Sequence, residues 1–346
     1  MTPDLIDLVS DTATRPTPGM RRAMAEAEVG DEQRGEDPSV NRLCERIAVL
    51  LGKEDAIFLP SGTMCNQVAI AVHCRPGDEV YGAETAHIFS TEGAGPAVLA
   101  GAQCWPIATE TGIFTPDDLA RAVRPGRRQA PNARLIEVEQ TVNRTGGVVW
   151  PLAALRAVGD FAKARGLIVH MDGARLFNAG VASGVSVRDF AAPCDSVWID
   201  LSKGLGCPVG GVLAGSAAFI EAAWRWKYRL GGAMRQAGIL AAAGLYALDH
   251  HVERLADDHA NARLLADSIA DVPGIAVLNP GVETNMVFIE VSASGKSAPD
   301  FAAALEARGV RLGASSATEL RAVTHLDVDA EGIGKAARAI RAVACG

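Results

Sequence analysis

The chain has 346 residues, enough to bury a sizeable core and to hold one large and one small domain. Its formal net charge of −8 argues against a nucleic-acid-binding surface. The seven cysteines (Cys44, Cys65, Cys74, Cys104, Cys194, Cys207 and Cys345) are odd in number and form no C-x-x-C pair, which points to a reducing cytoplasm and against a disulfide framework or a zinc site.

The opening MTPDLIDLVSD lacks the basic-then-apolar pattern of a signal peptide. The longest apolar stretch, 237–248, holds two glycines and is too short to span a bilayer, so no membrane association is expected. Residues 5–18 (LIDLVSDTATRPTP) read as extended and then turn at the prolines. Ser10, Asp11, Thr12, Thr14 and Arg15 make this a polar arm, although an ordinary capped loop reads the same way. The stretch 30–38 (GDEQRGEDP) is dense in charge; charge runs are usually solvated faces, so alone it says little. An amphipathic helix over 39–51, closed by Gly52, follows.

A short strand, 56–59, ends in Pro60-Ser61-Gly62-Thr63, where a helix opens and runs to His73. A small-residue turn at a helix N-terminus suits a phosphate, because free N–H groups and the helix dipole both favour an anion. The G-x-x-x-x-G-K spacing of a P-loop is absent, so this turn binds either a phosphate or nothing. A strand over 79–82 precedes Glu84-Thr85-Ala86-His87, with Glu92 one helical turn on. His87 either faces a crevice, to stack on a flat ligand or move protons, or is a surface histidine. A strand over 134–139 ends in Gln140-Thr141-Val142-Asn143-Arg144, and a helix covers 151–165.

The apolar runs 167–171 and 197–201 read as buried strands of a parallel sheet. The first stops at Asp172, with Arg175 three residues on; the second stops at Ser202-Lys203. Ligands sit beyond the carboxyl ends of such strands, so these groups are offered to one crevice. Glycines at 204, 206, 210 and 211 let the backbone turn sharply around Lys203, one of only six lysines. A lysine amine can form a Schiff base with an aldehyde cofactor, and a carboxylate can keep a pyridine nitrogen protonated, which is the pyridoxal phosphate pattern. A surface lysine and a helix-capping aspartate are the plain alternative. Gly204-Leu205-Gly206 is no dinucleotide fingerprint, since the next glycine is out of place and Pro208 intervenes.

A returning strand over 210–214, a helix rich in Trp and Arg over 216–227, and a small-residue helix over 236–248 complete the larger part. Beyond residue 250 a polar helix (252–269), a strand (286–291), a helix (300–308) and a strand (321–324) read as a smaller α/β domain.

Taken together, SDTATRPT, GEDPSVNRL, LPSGTMCNQ, HMDGARLFNAG, SKGLGCPVG, MRQAGILAAAG, ETNMVF and LRAVTHLDV resemble the low-specificity L-threonine aldolases, which are fold-type I pyridoxal-phosphate enzymes. The motifs keep their order along nearly the whole chain. The resemblance implies an α/β fold, with an N-terminal arm and a large cofactor domain over 1–250 and a small domain over 251–346. The large domain would hold a mostly parallel seven-stranded sheet flanked by helices. Lys203 would be the Schiff-base lysine, Asp172 would hold the pyridine nitrogen, and His87 would stack on the ring and serve in proton transfer. Gly62 and Thr63 would bind the cofactor phosphate, and Arg235 would reach that of a neighbouring subunit. Ser10, Arg175 and Arg321 would hold the substrate carboxylate, a task suited to planar guanidinium forks.

The implied reaction is retro-aldol cleavage of L-β-hydroxy-α-amino acids to glycine and an aldehyde, in a homodimer or homotetramer with shared active sites and no metal. Three positions depart from the family pattern: Arg34 stands where Tyr is usual, Val142 where His is usual, and Ala233 where Gly is usual. The first two are expected to touch the wall facing the β-substituent and to alter preference toward bulkier substrates such as phenylserine. Another pyridoxal-phosphate reaction, β-elimination or racemisation, and a non-catalytic ligand-binding scaffold are the competing readings.

Overall fold

The computed structural model describes residues 5–124, 126–279 and 281–346. The strands are β1 (Ile6–Asp7), β2 (Asp55–Leu59), β3 (Asp78–Ala83), β4 (Gln103–Ile107), β5 (Asn132–Glu139), β6 (Ile168–Gly173), β7 (Ser196–Asp200), β8 (Gly211–Gly215), β9 (Ala276–Val277), β10 (Met286–Glu290), β11 (Val310–Arg311), β12 (Gly313–Ala314) and β13 (Glu319–Val323). A seven-stranded sheet has the order β2-β8-β7-β6-β5-β3-β4. Only β8 runs against its neighbours; the remaining pairings are parallel. The mostly parallel sheet of a fold-type I enzyme, expected from the resemblance, is therefore present. The central strands β6 and β7 are almost wholly buried, which is why they read as continuous apolar runs and not as alternating ones.

Helices cover this sheet. The helix Pro38–Leu51 is capped by the Asp37 side chain, which accepts from the Ser39 and Val40 N–H groups, and it ends at Gly52 with φ 66°. The helix Gly62–His73 starts at the Ser61 cap and packs on β7. A second sheet, β12-β13-β10-β9, is antiparallel and has its own core, in which Phe301, Ile333 and Ile340 are fully buried. The arm reaches this core: β1 pairs with β11, and Leu8 is buried in it. The C-terminal helix Ala330–Cys345, capped by Asp329, covers the second sheet and was not expected from the sequence. Neither was the helix Pro18–Ala25, although Thr17 followed by proline is an ordinary start signal.

The charge-dense stretch 30–38 exposes Arg34 and Glu36 but buries two of its acids. Glu32 is 2% exposed and Asp37 is fully buried. The backbone there lacks regular partners, and the carboxylates supply them: Asp37 accepts from Gly30 and Gly238, and Glu32 accepts from Met234. Glu32 also pairs with Lys227, itself fully buried beneath the Trp224 ring. Removing one member of such a pair strands a charge in the interior. Glu32→Ala should lower unfolding stability by about 3–5 kcal/mol, whereas the double replacement Glu32→Leu with Lys227→Met should lower it by much less. Urea denaturation of both variants checks this; equal losses would contradict it.

Candidate active site

The functional side chains converge because each follows the carboxyl end of a strand. Gly62 and Thr63 come after β2, His87 after β3, Thr141 and Asn143 after β5, Ala174 and Arg175 after β6, and Lys203 after β7. They line one chamber of about 210 Å³, with Thr12, Glu139, Asp172, Trp198 and Asp200. An outer chamber of about 390 Å³ adjoins it, walled by Val9, Ser10, Arg144, Gly313 and Arg321 among others. Thr12, His87, Asn143, Arg175 and Lys203 line both. A larger surface groove of about 740 Å³ passes Val49 and Trp224 but gathers no such strand-end cluster.

Lys203 Nζ lies 3.2 Å from Asp200 Oδ2 and 5.8 Å from the centre of the Trp198 ring. Its carbonyl accepts from Thr14 Oγ1 of the arm at 3.0 Å, so the arm braces the lysine's backbone. Asp172 Oδ1 accepts from the Ala174 N–H at 3.0 Å, and Oδ2 accepts from Asn66 Nδ2 at 2.8 Å. His87 Nδ1 is 2.7 Å from Glu92 Oε1. That hydrogen bond raises the His87 pKa above its ordinary value, against the opposing effect of burial. Glu92 lies in an irregular turn after the short helix His87–Ser90, not in a continuing helix as expected.

Asn66 is the residue that sequence reasoning missed. It is fully buried, and its amide nitrogen donates to both Glu92 (2.7 Å) and Asp172 (2.8 Å). Its oxygen accepts from the Trp198 indole at 2.6 Å. It therefore ties the partner of His87 to the carboxylate at the end of β6. A buried asparagine in the first turns of an apolar helix was the available signal, because such a group is buried only when its hydrogen bonds are met.

The arginines are held in different ways. Arg175 spends Nε and Nη2 on Asp11, both at 2.7 Å, in a buried pair. Burial raises the Asp11 pKa, but the guanidinium outweighs it and holds the carboxyl far below the usual range. Arg175 thus points into the chambers with its fork largely taken. Arg321 is held more loosely, by Asn143 Oδ1 at 3.1 Å and the Val9 carbonyl at 3.3 Å. Burial and then the Arg175 charge lower its pKa, and an incoming carboxylate would supply the opposite charge that offsets the neighbouring guanidinium. Arg235 is not brought to the chambers at all: it is 61% exposed and paired with Asp31 at 2.9 Å. Arg34 is 72% exposed and faces the same Asp31 at 3.8 Å. Val142 is 1% exposed, and its methyl carbon would lie 2.3 Å from a Cβ at Gly112. Neither Arg34 nor Val142 lines the chambers of this chain.

The residues present fit pyridoxal phosphate. A Cβ at Gly62 would lie 2.2 Å from the Trp198 ring, so only glycine lets the helix N-terminus reach this close to the chamber floor. The Ser61 side chain caps Met64 N–H, leaving the Gly62 and Thr63 N–H groups for an anion. An amine, a buried carboxylate and an anion site thus share one chamber.

Residues 7–293 match the beta-eliminating lyase family. The chain is 42% identical to the low-specificity L-threonine aldolase of Escherichia coli (strain K12), over 98% of this chain and 99% of that one. It is 41% identical to low-specificity L-threonine aldolase 1 of Arabidopsis thaliana, over 92% of this chain and 91% of that one. The solved threonine aldolase of Leishmania major shares the fold, with a TM-score of 0.84 at 19% identity and coverage of 98% and 99%. With this agreement along its whole length and the lysine, carboxylate and anion site in one chamber, the chain belongs to the low-specificity L-threonine aldolases of the beta-eliminating lyase family.

Proposed function

We propose that the chain is a pyridoxal-phosphate-dependent aldehyde-lyase that cleaves L-β-hydroxy-α-amino acids, threonine and allo-threonine included, to glycine and an aldehyde. The observation that carries this is the pair of joined chambers, with Lys203 and His87 on the shared wall and Arg321 on the outer one. Lys203 would bond the cofactor aldehyde, Asp172 would hold the proton on its ring nitrogen, and the Gly62 and Thr63 N–H groups would take its phosphate. When bound, the cofactor supplies a sink for the electron pair left on Cα when Cα–Cβ breaks.

The chain's own residues decide which bond that is. Arg321, with Ser10 and the remaining Nη1 of Arg175, orients the substrate carboxylate, and orientation selects the bond that breaks. His87 takes the β-hydroxyl proton, with Glu92 on Nδ1 fixing the ring and supporting the charge it gains. Arg235, exposed and remote from its own chamber, serves the phosphate of a neighbouring subunit in a homodimer or homotetramer with shared sites. We place the chain in the cytoplasm. Its seven cysteines are all free, and no helix among the described residues is long and apolar enough to cross a membrane. We also divide it into a large domain, 1–250, and a small one, 251–346. The first sheet lies within 55–215 and the second within 276–323, and the arm ties them together.

Incubating the holoenzyme with L-threonine tests the reaction. Glycine and acetaldehyde in equal amounts are expected; pyruvate would favour β-elimination, and the D-enantiomer racemisation. Phenylserine should be cleaved with a kcat/KM at least equal to that for threonine, because the side chain at 142 turns to Gly112 and places no ring against the β-substituent. A panel in which threonine far outperforms phenylserine contradicts this.

A further inference from the structure

Glu139 closes β5 and lies in register with Asp172 on β6. Its carboxylate faces two loops at once. Oε1 accepts the His87 backbone N–H at 2.6 Å, and Oε2 accepts the Asn143 N–H at 3.3 Å. Asn143 Oδ1 in turn accepts from Arg321 Nη1 at 3.1 Å. One side chain therefore joins the loop that carries the histidine to the loop that steadies the arginine. Only a carboxylate offers an acceptor on both arms; a glutamine turns an NH₂ toward one of the two N–H groups.

We propose that Glu139 is a positioning residue that couples His87 to the Asn143–Arg321 clamp, so that the grip on the substrate carboxylate depends on both of its oxygens. This rests on the aldolase reading for Arg321 but adds a role for a residue that need not touch the substrate. The groups facing Glu139 are Asp172 from β6, Glu137 from its own strand, His87 from the loop after β3 and Arg175 from the loop after β6. Glu137, two residues earlier on the same face, buries both carboxyl oxygens without a hydrogen-bond partner. Ligand atoms of Glu137, Glu139 and Asp172 lie within 4.8 Å of one another. Burial and then the Glu139 charge push the Glu137 carboxyl well up. Burial and then Asp172 push Glu139 up to about 7. The bracket is whole when Glu139 is ionised, above that value, and loosens as pH falls through it.

Glycine binding to the holoenzyme reads the clamp without the chemistry, since glycine carries the carboxylate and no β-substituent. Glu139→Gln and Asn143→Ala should each weaken glycine about tenfold, the scale of one lost charge-assisted hydrogen bond, and raise the KM for threonine alike. The double variant should be no weaker than either single one, because both cut the same connection. The wild-type loss of glycine affinity below pH 7 should vanish in both variants. Asn143 sits in a half-exposed turn, so Asn143→Ala keeps the test open should Glu139→Gln not fold. Multiplicative losses in the double variant, or a pH limb that survives in Asn143→Ala, overturn the coupling. A wild-type holoenzyme that neither binds glycine nor cleaves threonine overturns the functional reading itself, and this coupling with it.

Discussion

Lys203→Ala is expected to lower kcat for threonine cleavage by at least about 10⁴-fold, because a tethered amine beside its electrophile is worth on the order of 10⁵–10⁸ M in effective concentration. The fold should survive. The lysine's backbone is held by other groups: its carbonyl accepts from Thr14 Oγ1 and from the Gly206 N–H, and Gly206 and Gly210 take the positive φ values the turn requires (76° and 108°). Among the described residues the side chain makes one ion pair, with Asp200, lies over the Trp198 ring, and is 18% exposed at the chamber wall. Truncation therefore removes the reactive amine and little else. The wild-type protein with pyridoxal phosphate should absorb visible light, and borohydride should fix the cofactor covalently to Lys203. The variant should show neither property. A variant that still cleaves threonine at near the wild-type rate, or a wild-type protein that stays colourless with added cofactor, would remove the lysine from the mechanism.

The positions of Lys203 and Asp172 were legible because a parallel sheet exports whatever follows its strands to one edge. An apolar run and the polar residue that ends it are local features, and the edge is common to all strands. Gly62 and Thr63 were legible for the same reason, through β2. What the sequence hides is how far a polar side chain reaches into the interior. Asn66 and Glu139 sit in apolar context and do their work sideways, across α–β and loop–loop contacts that no spacing encodes. Glu32 and Lys227 are 195 positions apart, so a charge-rich loop gave no hint that one of its acids is buried. Arg175 was placed correctly in the crevice, yet its fork belongs to Asp11, 164 residues away. Arg235 marks a different limit: the role proposed for it involves a second copy of the chain.

Asp172→Asn should lower kcat by roughly 10²–10³-fold, the scale of removing one preorganised group from a reacting centre, although the two side chains have nearly the same shape. Trp198 fixes the orientation of this cluster. Its indole nitrogen can only donate, and it donates to Asn66 at 2.6 Å, so the Asn66 atom it meets is the oxygen. The amide nitrogen is then fixed toward Glu92 and Asp172. The Ala174 N–H approaches Asp172 from the other side. Both oxygens of Asp172 thus meet donors, which fixes the orientation of the carboxyl group. An asparagine there must turn its own NH₂ toward either Asn66 or Ala174, losing a buried hydrogen bond, and it offers no charge to keep a ring nitrogen protonated. Cofactor affinity should fall, and the visible band should titrate in the variant where it does not in the wild type. Asn66→Asp provides the converse check: it sets a third carboxylate against two others, Glu92 and Asp172, and should disturb the same band. If Asp172→Asn keeps both its kcat and its spectrum, the carboxylate serves only to cap the turn after β6, and the electron sink must be held by another group in the chamber.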